Sequence, residues 1–362
     1  MRIIITGGGT GGHIYPAIAV AQEIKKRRQN IEIIFIGTQK GIEAKAVPAA
    51  GFPIKHINAA PMSSKPLKLL KFMFGNSTGL LQAVSILISQ KPVLVIGSGG
   101  YVSAPVIAAA SILGIPTILL EQNVLPGKTN RFLSKFAQKV LISFEESKKY
   151  LPQGKAVLTG NPIRREIIER NKEEALSRLN LSPDKFTLLI TGASQGARSI
   201  NEAVVKSLPV WKDREWQIIH LVGRKNFEDV KKATDPILPE LKGEYRCVDY
   251  TEDMASVYAV ADLVAARAGA STLAEITAVG IASILIPYPY AADNHQEKNA
   301  RCVEKCGGSI VIMDGDVREK LADEVMKLAQ DSEKRQSMAN CSKEIGKPEA
   351  LESIMGEIDE LL

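Results

Sequence analysis

One glycine-rich stretch decides the fold of this chain: Gly7-Gly8-Gly9-Thr10-Gly11-Gly12-His13. An apolar run at residues 2–6 precedes it, and a helical pattern follows at about 14–28. A strand, a glycine loop and a helix in this order form the phosphate-binding turn of a doubly wound α/β fold, because the backbone can approach a diphosphate and the helix N-terminus presents free N–H groups. The loop lacks the Gly-Lys-Ser/Thr ending of a P-loop and matches G-x-G-x-x-G only weakly. We therefore expect an anion site with a titratable histidine at its mouth.

Length and composition indicate a globular protein with two domains. Of the 362 residues, 45% are hydrophobic and 24% are charged, and the sequence has no run of 18 apolar residues that would predict a membrane-spanning helix. The chain begins directly on a strand pattern, without a leader that would indicate secretion. The net charge of +6 suits anionic partners such as nucleotides, diphosphates or an acidic lipid surface, but it is too diffuse to indicate nucleic acid.

The cysteines do not form a metal-binding pattern. They are Cys247, Cys302, Cys306 and Cys341. Cys302 and Cys306 are four residues apart, but only His295 lies near them in sequence, so a metal site there would lack ligands. We expect free thiols in a reducing cytoplasm and no metal.

Strand patterns alternate with helical patterns along both halves of the chain. Short runs rich in Ile, Val or Leu predict first-half strands at 3–6, 32–36, 93–96, 117–120 and 139–142. The pattern pauses at 159–164, and a second strand–glycine loop–helix unit follows, with its loop at 192–198. Second-half strands are predicted at 186–191, 217–222, 245–248, 262–265, 283–286 and 309–312. The alternation predicts parallel sheets with helices on both sides.

We expect one domain at 1–161, joined by a C-terminal helix at 347–362, and a second domain at 162–346. Two such domains suggest a ligand at the carboxyl ends of their strands. A dehydrogenase would need a carboxylate at the end of its second strand to hold the adenosine ribose. Residues 35–39 contain none, which counts against NAD.

Two further motifs follow predicted strands of the first half. The segment 97–105 (GSGGYVSAP) is a second glycine-rich turn, which could pack a helix closely on the sheet or help to hold one diphosphate. Two such loops at adjacent strand ends favour anion binding. The segment 121–123 (EQN) places three polar side chains where α/β proteins contact ligands, although Asn and the later Pro126-Gly127 also favour a turn.

Two motifs of the second half allow both a binding and a structural interpretation. In 267–275 (RAGASTLAE), hydroxyls at a helix N-terminus suit a diphosphate, and Glu275 one turn further suits a ribose. The alternative is a capping box in which Ser271 or Thr272 caps the helix and Glu275 reaches back. The polar cluster at 293–300 (DNHQEKNA) could read sugar hydroxyls or simply start a solvated helix.

An apolar and basic stretch lies at residues 65–74, which contain no acidic residue. Buried core with a solvated face is its ordinary interpretation. The absence of acidic residues also suits shallow contact with an anionic lipid surface.

Together these motifs closely resemble one family, the inverting MurG-type glycosyltransferases, which add N-acetylglucosamine (GlcNAc) to undecaprenyl-diphospho-N-acetylmuramoyl-pentapeptide in peptidoglycan synthesis. The resemblance covers nearly the whole chain. It depends on the order and spacing of GGGTGGH at 7–13, GSGGYVSAP at 97–105, EQN at 121–123, GNPIR at 160–164, GASQGAR at 192–198, RAGASTLAE at 267–275 and DNHQEKNA at 293–300. It implies an α/β GT-B fold, in which two Rossmann-like doubly wound domains face each other across a cleft.

The resemblance implies that the second domain holds the donor, UDP-GlcNAc. Residues 250–254 would face the uracil, Glu275 the ribose, and the sugar would meet a histidine and glutamine where the family often has two glutamines. The donor residues it implies are Thr10, Gly11, Gly12, Asn123, Arg164, Ser194, Thr251, Ala270, Ser271, Thr272, Glu275, His295, Gln296 and Asn299.

The resemblance implies that the first domain holds the undecaprenyl-linked acceptor, with its diphosphate in the two glycine loops. The acceptor residues are Gly8, Gly9, Gly99, Gly100 and Tyr101. Membrane contact is expected at Lys65, Leu69, Phe72 and Phe74. The implied location is the cytoplasmic face of the bacterial plasma membrane, as a peripheral protein. Other cell-wall synthesis or division proteins are further partners that the resemblance allows; nucleic acid is not.

The implied reaction is one in-line displacement in which the muramoyl C4 hydroxyl attacks the anomeric carbon, UDP leaves, and the α linkage becomes β. His13 is the candidate general base, because an imidazole can take a proton near neutral pH; its alternative role is only to orient the acceptor. Helix dipoles and basic or hydroxyl groups would stabilise UDP, so we expect no metal and no cofactor besides the donor.

Two other classes of function remain open. The chain could be another GT-B enzyme, such as a UDP-GlcNAc 2-epimerase or a different lipid glycosyltransferase. It could also be a non-catalytic nucleotide-binding module, but such a module would need neither His13 nor the loop at 97–105.

Overall fold

The computed structural model describes the backbone of residues 1–61, 66–193 and 195–362, and their side chains apart from those of 66–72. The chain divides into two compact units. The first unit comprises residues 1–163 and 349–362, and the second comprises 164–348. The structure thus ends the first unit two residues after the predicted position 161 and the second unit two residues after 346.

The first unit contains a parallel seven-stranded sheet with the strand order β3-β2-β1-β4-β5-β6-β7. Its strands are β1 (Arg2–Thr6), β2 (Glu32–Gly37), β3 (Ile54–His56), β4 (Leu94–Gly97), β5 (Thr117–Glu121), β6 (Lys139–Ile142) and β7 (Ala156–Leu158). Its first five helices are α1 (Gly11–Arg27), α2 (Glu43–Ala49), α3 (Pro66–Gln90), α4 (Ser103–Ile112) and α5 (Lys128–Leu133). The strand order reverses between β1 and β4, so the loops after these two strands meet at the topological switch point, where α/β folds bind ligands.

The second unit contains a parallel six-stranded sheet with the order β10-β9-β8-β11-β12-β13. Its strands are β8 (Thr187–Thr191), β9 (Gln217–Leu221), β10 (Glu244–Val248), β11 (Leu263–Ala266), β12 (Ser283–Leu285) and β13 (Ser309–Val311). Its helices are α6 (Arg165–Ile168), α7 (Lys172–Leu179), α8 (Arg198–Trp211), α9 (Phe227–Thr234), α10 (Met254–Val260), α11 (Ala270–Val279), α12 (His295–Lys305), α13 (Val317–Gln330) and α14 (Ser332–Ile345). The switch point here lies between β8 and β11.

The terminal helix α15 (Ala350–Asp359) belongs to the first unit. Ile354, Met355 and Ile358 are buried in the core that also contains residues of α1 and the sheet. Salt bridges flank this contact: Arg28 lies 2.8 Å from Asp359, and Arg27 pairs with Glu352. The terminal helix α15 therefore helps to hold α1, the helix that follows the first glycine loop.

The central strands are buried because helices cover both faces of the first sheet. Ile3 and Ile5 of β1 pack toward α1, whereas Ile4 packs toward α3 and α4, and all three are fully buried. This explains their continuous apolar sequence, which is typical of parallel strands. The predicted doubly wound α/β class is confirmed, and the structure adds β3 and β7, two three-residue strands at the sheet edges.

Within the described parts of the chain, none of the helices combines the length and hydropathy that a membrane span requires.

Candidate functional site

The two glycine loops of the first unit are in direct contact. Gly100 has φ +79°, and a Cβ on it would lie 2.3 Å from the Gly8 carbonyl oxygen. A Cβ on Gly7 would lie 1.8 Å from the Ser98 hydroxyl oxygen. Any side chain would force the loops apart, so glycine is required by their close approach as well as by the backbone conformation. The two motifs that the sequence predicted at adjacent strand ends thus form one surface.

A buried carboxylate, Glu43, holds the first glycine loop by hydrogen bonds. Glu43, fully buried at the start of α2, accepts hydrogen bonds from Gly9 N at 3.1 Å, Thr38 N at 3.1 Å and Thr38 Oγ1 at 2.6 Å. The Gly9 N–H is therefore used within the protein. Sequence reasoning missed Glu43, because only the fold brings residue 43 under residue 9.

The start of α1 keeps the features of an anion site. Thr10 is its N-cap, and the Thr10 carbonyl accepts from the backbone N–H groups of His13 and Ile14, both at 3.3 Å. The N–H groups of Gly11 and Gly12 precede these and have no intrahelical acceptor. With the positive end of the helix dipole, they form a site that suits a phosphate. The ring of Tyr101 packs over Gly9, where a Cβ would lie 3.0 Å from Cε1.

His13 lies where three loops meet. It is half-buried in the first turn of α1, and its Nδ1 is 3.1 Å from Oε1 of Gln122, which follows β5. A Cβ on Gly99 would lie 2.9 Å from the same Nδ1, so the imidazole rests against the second glycine loop. The sequence motif at 121–123 contained Gln122, but nothing in the sequence indicated this pairing across 109 positions.

Glu121 shapes the loop that follows β5. Its side chain is only 2% exposed. Oε1 accepts from Asn123 N at 2.9 Å, and Oε2 accepts from Gly127 N at 3.0 Å and Asn130 Nδ2 at 2.9 Å. The turn interpretation of this motif therefore holds for Glu121. Asn123 is half-buried beside it, so its donor role stays a prediction.

In the second unit, the capping-box alternative is wrong. Helix α11 begins at Ala270 after Gly269, which is its N-cap and carries no side chain. Glu275 does not reach back to the helix start, because its Oε2 accepts from the Tyr258 hydroxyl at 3.1 Å. The N–H groups of Ala270, Ser271 and Thr272 occupy the first helical turn, where intrahelical acceptors do not exist.

Glu275 joins α11 to α10 through its hydrogen bond with Tyr258. Burial raises the pKa of its carboxyl group, and the Arg164 charge and the Tyr258 hydroxyl act in the opposite direction. Arg164 itself donates from Nη1 to the Glu252 carbonyl at 2.9 Å. Sequence reasoning missed Tyr258, because a tyrosine in an apolar helix resembles an ordinary core residue.

Arg267 connects the loop before α11 to neighbouring segments of the second unit. The motif at 267–275 contains this arginine, but the sequence indicated no role for it. Arg267 is 7% exposed. Nη1 lies 2.5 Å from Asp314 Oδ1 and 3.2 Å from the Pro287 carbonyl, while Nη2 donates to Ser199 Oγ at 2.9 Å. The network joins the end of β11 to the segment after β12. A charged residue directly after a buried strand was the available signal in the sequence.

The segment predicted to read the sugar adjoins this loop. Asn299 is fully buried and donates from Nδ2 to the Ala268 carbonyl at 3.5 Å. Gln296 accepts from Tyr288 N at 3.0 Å through Oε1, and His295 Nδ1 lies 2.8 Å from the Ala292 carbonyl oxygen. The structure therefore brings Asn299 next to the α11 loop, whereas His295 contacts its own turn.

The glycine loop of the second unit packs against the segment that follows β9. A Cβ on Gly196 would lie 2.0 Å from the Val222 carbonyl oxygen. Ala193 has φ +62°, a left-handed conformation that is uncommon for a residue with a side chain. Ser194 lies outside the described residues. Further along, Thr251 Oγ1 accepts from Asp253 N at 3.1 Å, so the segment expected at the uracil forms the cap of α10.

The expected membrane residues are only partly described. Lys65 and the side chains of Leu69 and Phe72 lie outside the described residues. Phe74 is described, and 71% of it is exposed. Leu81 and Ile88 on the same helix are 70% and 57% exposed, at intervals of seven residues. These three residues therefore lie close to one face of α3.

No metal cluster occurs in the described part of the chain: no three His, Cys, Asp or Glu side chains are grouped as ligands there. The four cysteines are free thiols.

Two family models match most of this chain. Residues 3–142 match the N-terminal domain of glycosyltransferase family 28, and residues 187–354 match its C-terminal domain. The crystal structure of Acinetobacter baumannii MurG is similar with a TM-score of 0.83 and 25% identity, covering 99% of each chain.

Two full-length bacterial relatives carry the name UDP-N-acetylglucosamine–N-acetylmuramyl-(pentapeptide) pyrophosphoryl-undecaprenol N-acetylglucosamine transferase. The protein of Desulforamulus reducens is 42% identical, covering 100% of this chain and 99% of the relative. That of Thermoanaerobacter sp. (strain X514) is 44% identical, covering 98% of both chains. The resemblance inferred from seven motifs is thereby confirmed. The chain belongs to the family of UDP-N-acetylglucosamine–N-acetylmuramyl-(pentapeptide) pyrophosphoryl-undecaprenol N-acetylglucosamine transferases, within glycosyltransferase family 28.

Proposed function

We propose that this chain carries out the family reaction with His13 as general base: GlcNAc passes from UDP-GlcNAc to the C4 hydroxyl of undecaprenyl-diphospho-N-acetylmuramoyl-pentapeptide, with inversion at the anomeric carbon. The observation that carries the assignment of the base is the position of His13, which stands at the meeting point of two glycine loops and beside the free N–H groups of α1. An acceptor diphosphate at those N–H groups would place the attached sugar near the imidazole.

The chemistry of the acceptor side follows from proton balance. The C4 hydroxyl must lose a proton as its oxygen bonds to the anomeric carbon, and the imidazole of His13 takes that proton. The bond between the anomeric carbon and the diphosphate oxygen breaks in the same step. Tyr101, packed over Gly9, would border the bound acceptor.

The chemistry of the donor side is the stabilisation of departing UDP. The first turn of α11, at Ala270, Ser271 and Thr272, offers N–H groups and the positive end of a helix dipole to the diphosphate. Glu275, with one oxygen on Tyr258, has its other oxygen for the ribose hydroxyls. In this proposal Arg164 adds positive charge, Asn299 contacts the sugar, and no metal is needed.

The lipid part of the acceptor suggests contact with a membrane surface. The exposed apolar residues Phe74, Leu81 and Ile88 on α3 support this part of the proposal, because a stripe of this kind can enter the headgroup boundary of a bilayer. The protein would then act as a peripheral protein at the cytoplasmic face of the plasma membrane.

Transfer of labelled GlcNAc from UDP-GlcNAc to a muramoyl-diphospho-lipid acceptor tests the proposal. The expected product has a β1–4 linkage and appears only when both substrates are present. Incubation with UDP-GlcNAc alone is the control, since a 2-epimerase would form a new UDP-sugar without acceptor. A folded protein that transfers nothing, or that works equally well with Gln at position 13, would contradict the proposal in its first or second part.

A further inference from the structure

Beneath the proposed base lies a side-chain amide whose orientation is set by the backbone. Gln122 is 2% exposed, and its Nε2 donates to the carbonyl oxygens of Ser98 at 3.2 Å and Leu120 at 3.3 Å. With the amide turned by 180°, its oxygen would face the two carbonyl oxygens, and no hydrogen bond could form because neither the amide oxygen nor a carbonyl oxygen can donate. The amide oxygen must therefore face the remaining neighbour, which is His13.

This orientation determines where the imidazole carries its proton. The amide oxygen Oε1 lies 3.1 Å from His13 Nδ1, and because an amide oxygen only accepts, Nδ1 must be the protonated nitrogen. In the neutral ring the lone pair then resides on Nε2, on the opposite side of the ring. Among the described residues, Nε2 has no hydrogen-bond partner.

From this geometry we infer that Gln122 is a positioning residue for the transfer reaction, holding His13 as the Nδ1–H tautomer so that Nε2 is the basic atom. The inference rests on the proposed role of His13 as base. Free histidine favours the Nε2–H tautomer, in which the exposed nitrogen would be a donor and could not accept the hydroxyl proton. Because Gln122 is 2% exposed, it acts through the imidazole.

A glycine beside the ring completes the arrangement. A Cβ on Gly99 would lie 2.9 Å from Nδ1 and 3.0 Å from Cε1, so the ring can rest against the second glycine loop only because Gly99 has no side chain. Packing thus limits ring rotation, and the amide selects the tautomer. Because the side chain of Gln122 is uncharged, it places no negative charge beside the imidazole, as a carboxylate partner would.

Nitrogen-15 NMR of the protein labelled at histidine tests the inference directly, because protonated and bare ring nitrogens resonate far apart. His13 is assigned by the His13→Gln variant. His220 is an internal reference of the opposite kind: its Nε2 lies 3.1 Å from Asn201 Oδ1, while Asn201 Nδ2 donates to the Val222 carbonyl. We expect His13 as Nδ1–H and His220 as Nε2–H.

Two variants separate tautomer control from simple packing. Gln122→Met and Gln122→Glu both lose the amide donor to the Ser98 and Leu120 carbonyls, but Glu keeps an oxygen acceptor for Nδ1. In Gln122→Met we expect the Nε2–H tautomer and a fall in kcat of roughly 10- to 100-fold, part of the full contribution of a general base, with KM little changed. In Gln122→Glu one carboxyl oxygen faces the Ser98 and Leu120 carbonyls, which favours its protonated form as a donor there, and the other oxygen accepts from Nδ1. We expect the Nδ1–H tautomer and kcat within about threefold of the unsubstituted protein.

An Nε2–H signal for His13 in the unsubstituted protein would overturn the inference whatever the activity. Equal losses of kcat in both variants with Nδ1–H retained would show a packing role only, and would overturn it as well. A protein that shows the Nδ1–H tautomer but no transfer would instead remove the proposed function. Unfolding curves and UDP-GlcNAc binding by each variant establish that it is folded.

Discussion

The first glycine loop of each unit has the same length and the same place after a buried strand, yet the two loops have different side-chain partners. Residues 7–13 and 192–198 both follow a buried strand, begin with glycine, and end with a basic residue in the first helical turn. In the first loop that residue is His13, tied to Gln122 and resting on a second loop. In the second it is Arg198, whose side chain is 87% exposed and paired with Glu202 four residues later.

The support beneath each loop differs as well. A buried carboxylate, Glu43, accepts the Gly9 N–H. The second loop instead packs on the Val222 carbonyl, and the histidine below it, His220, is fully buried between Asn201 and Tyr245. The acidic residue proposed for the donor ribose lies on α11, away from this loop in sequence. The difference teaches that a glycine loop by itself marks a close backbone approach, whereas its chemistry depends on the side chains that neighbouring strands bring to it.

Replacing the two basic residues tests the comparison most strongly. We expect His13→Gln to lower kcat by about 10²- to 10⁴-fold, because the acceptor hydroxyl loses its base. Arg198→Gln, at the matching position, should leave kcat within about twofold, since an exposed i,i+4 ion pair contributes little. Steady-state transfer kinetics with both substrates varied give the values. Similar losses in both variants would mean that the loops do not differ in this way.

Removing the buried carboxylate tests the support of the first loop. Glu43→Met leaves the N–H groups of Gly9 and Thr38 without an acceptor, so the free energy of opening around the loop should fall by about 2–4 kcal/mol. Amide hydrogen exchange of peptides spanning residues 1–20 and 31–45 measures this. Glu43→Gln keeps an acceptor oxygen and should lose less. Unchanged protection in Glu43→Met would show that the carboxylate does not hold the loop.

The donor side sharpens the comparison from the other unit. Glu275→Gln should raise KM for UDP-GlcNAc by about 10- to 100-fold, because hydrogen bonds to a charged carboxylate are among the strong ones. Tyr258→Phe should raise it by only about 2- to 5-fold, since it removes one partner of that carboxylate. KM for the lipid acceptor is the control and should not move. A larger effect on the acceptor than on the donor would contradict the assignment of Glu275.

Acid should weaken the folding of the second unit through His220. Burial lowers the pKa of His220 to about 3, below the value near 6.5 expected in the unfolded chain. Below about pH 6.5 the unfolded chain binds a proton at this histidine and the folded protein does not. The free energy of unfolding therefore falls as the pH is lowered from 6.5 toward 3, by up to about 1.4 kcal/mol per pH unit. Urea unfolding between pH 7.5 and 5, followed by Trp211 and Trp216, reports on the second unit, which contains both tryptophans.

The control for this last prediction is a matched variant. His220→Gln should be less stable at pH 7.5 by about 1–3 kcal/mol, but its stability should fall less on acidification. The same slope in both proteins would mean that other groups cause the acid sensitivity.

Much of the fold could be predicted because its signals are local. Continuous apolar runs such as residues 3–6 and 139–142 predicted buried parallel strands, and glycines after strands predicted the sharp turns. The strands that escaped prediction, β3 and β7, lie at sheet edges and are three residues long, which is too short for a pattern of apolar residues to identify them.

The candidate site could be predicted only in part. The motifs at 97–105 and 267–275 were recognised as loops at strand ends, but the alternatives for Glu275 remained open until its contact with Tyr258 was seen. Arg267 and Asp314 are 47 positions apart, and no sequence spacing indicates such a pair. Side-chain partners of this kind depend on strand order.

The doubly wound class, the family, the two switch-point loops and the histidine at the mouth of the first follow from the amino-acid sequence alone, since each depends on a short run of residues with local backbone preferences. What that histidine can do depends on the tertiary structure. Pairing of β5 with β4 brings Gln122 to within 3.1 Å of Nδ1 of His13. The two residues are 109 positions apart, so this hydrogen bond exists only once the sheet has formed.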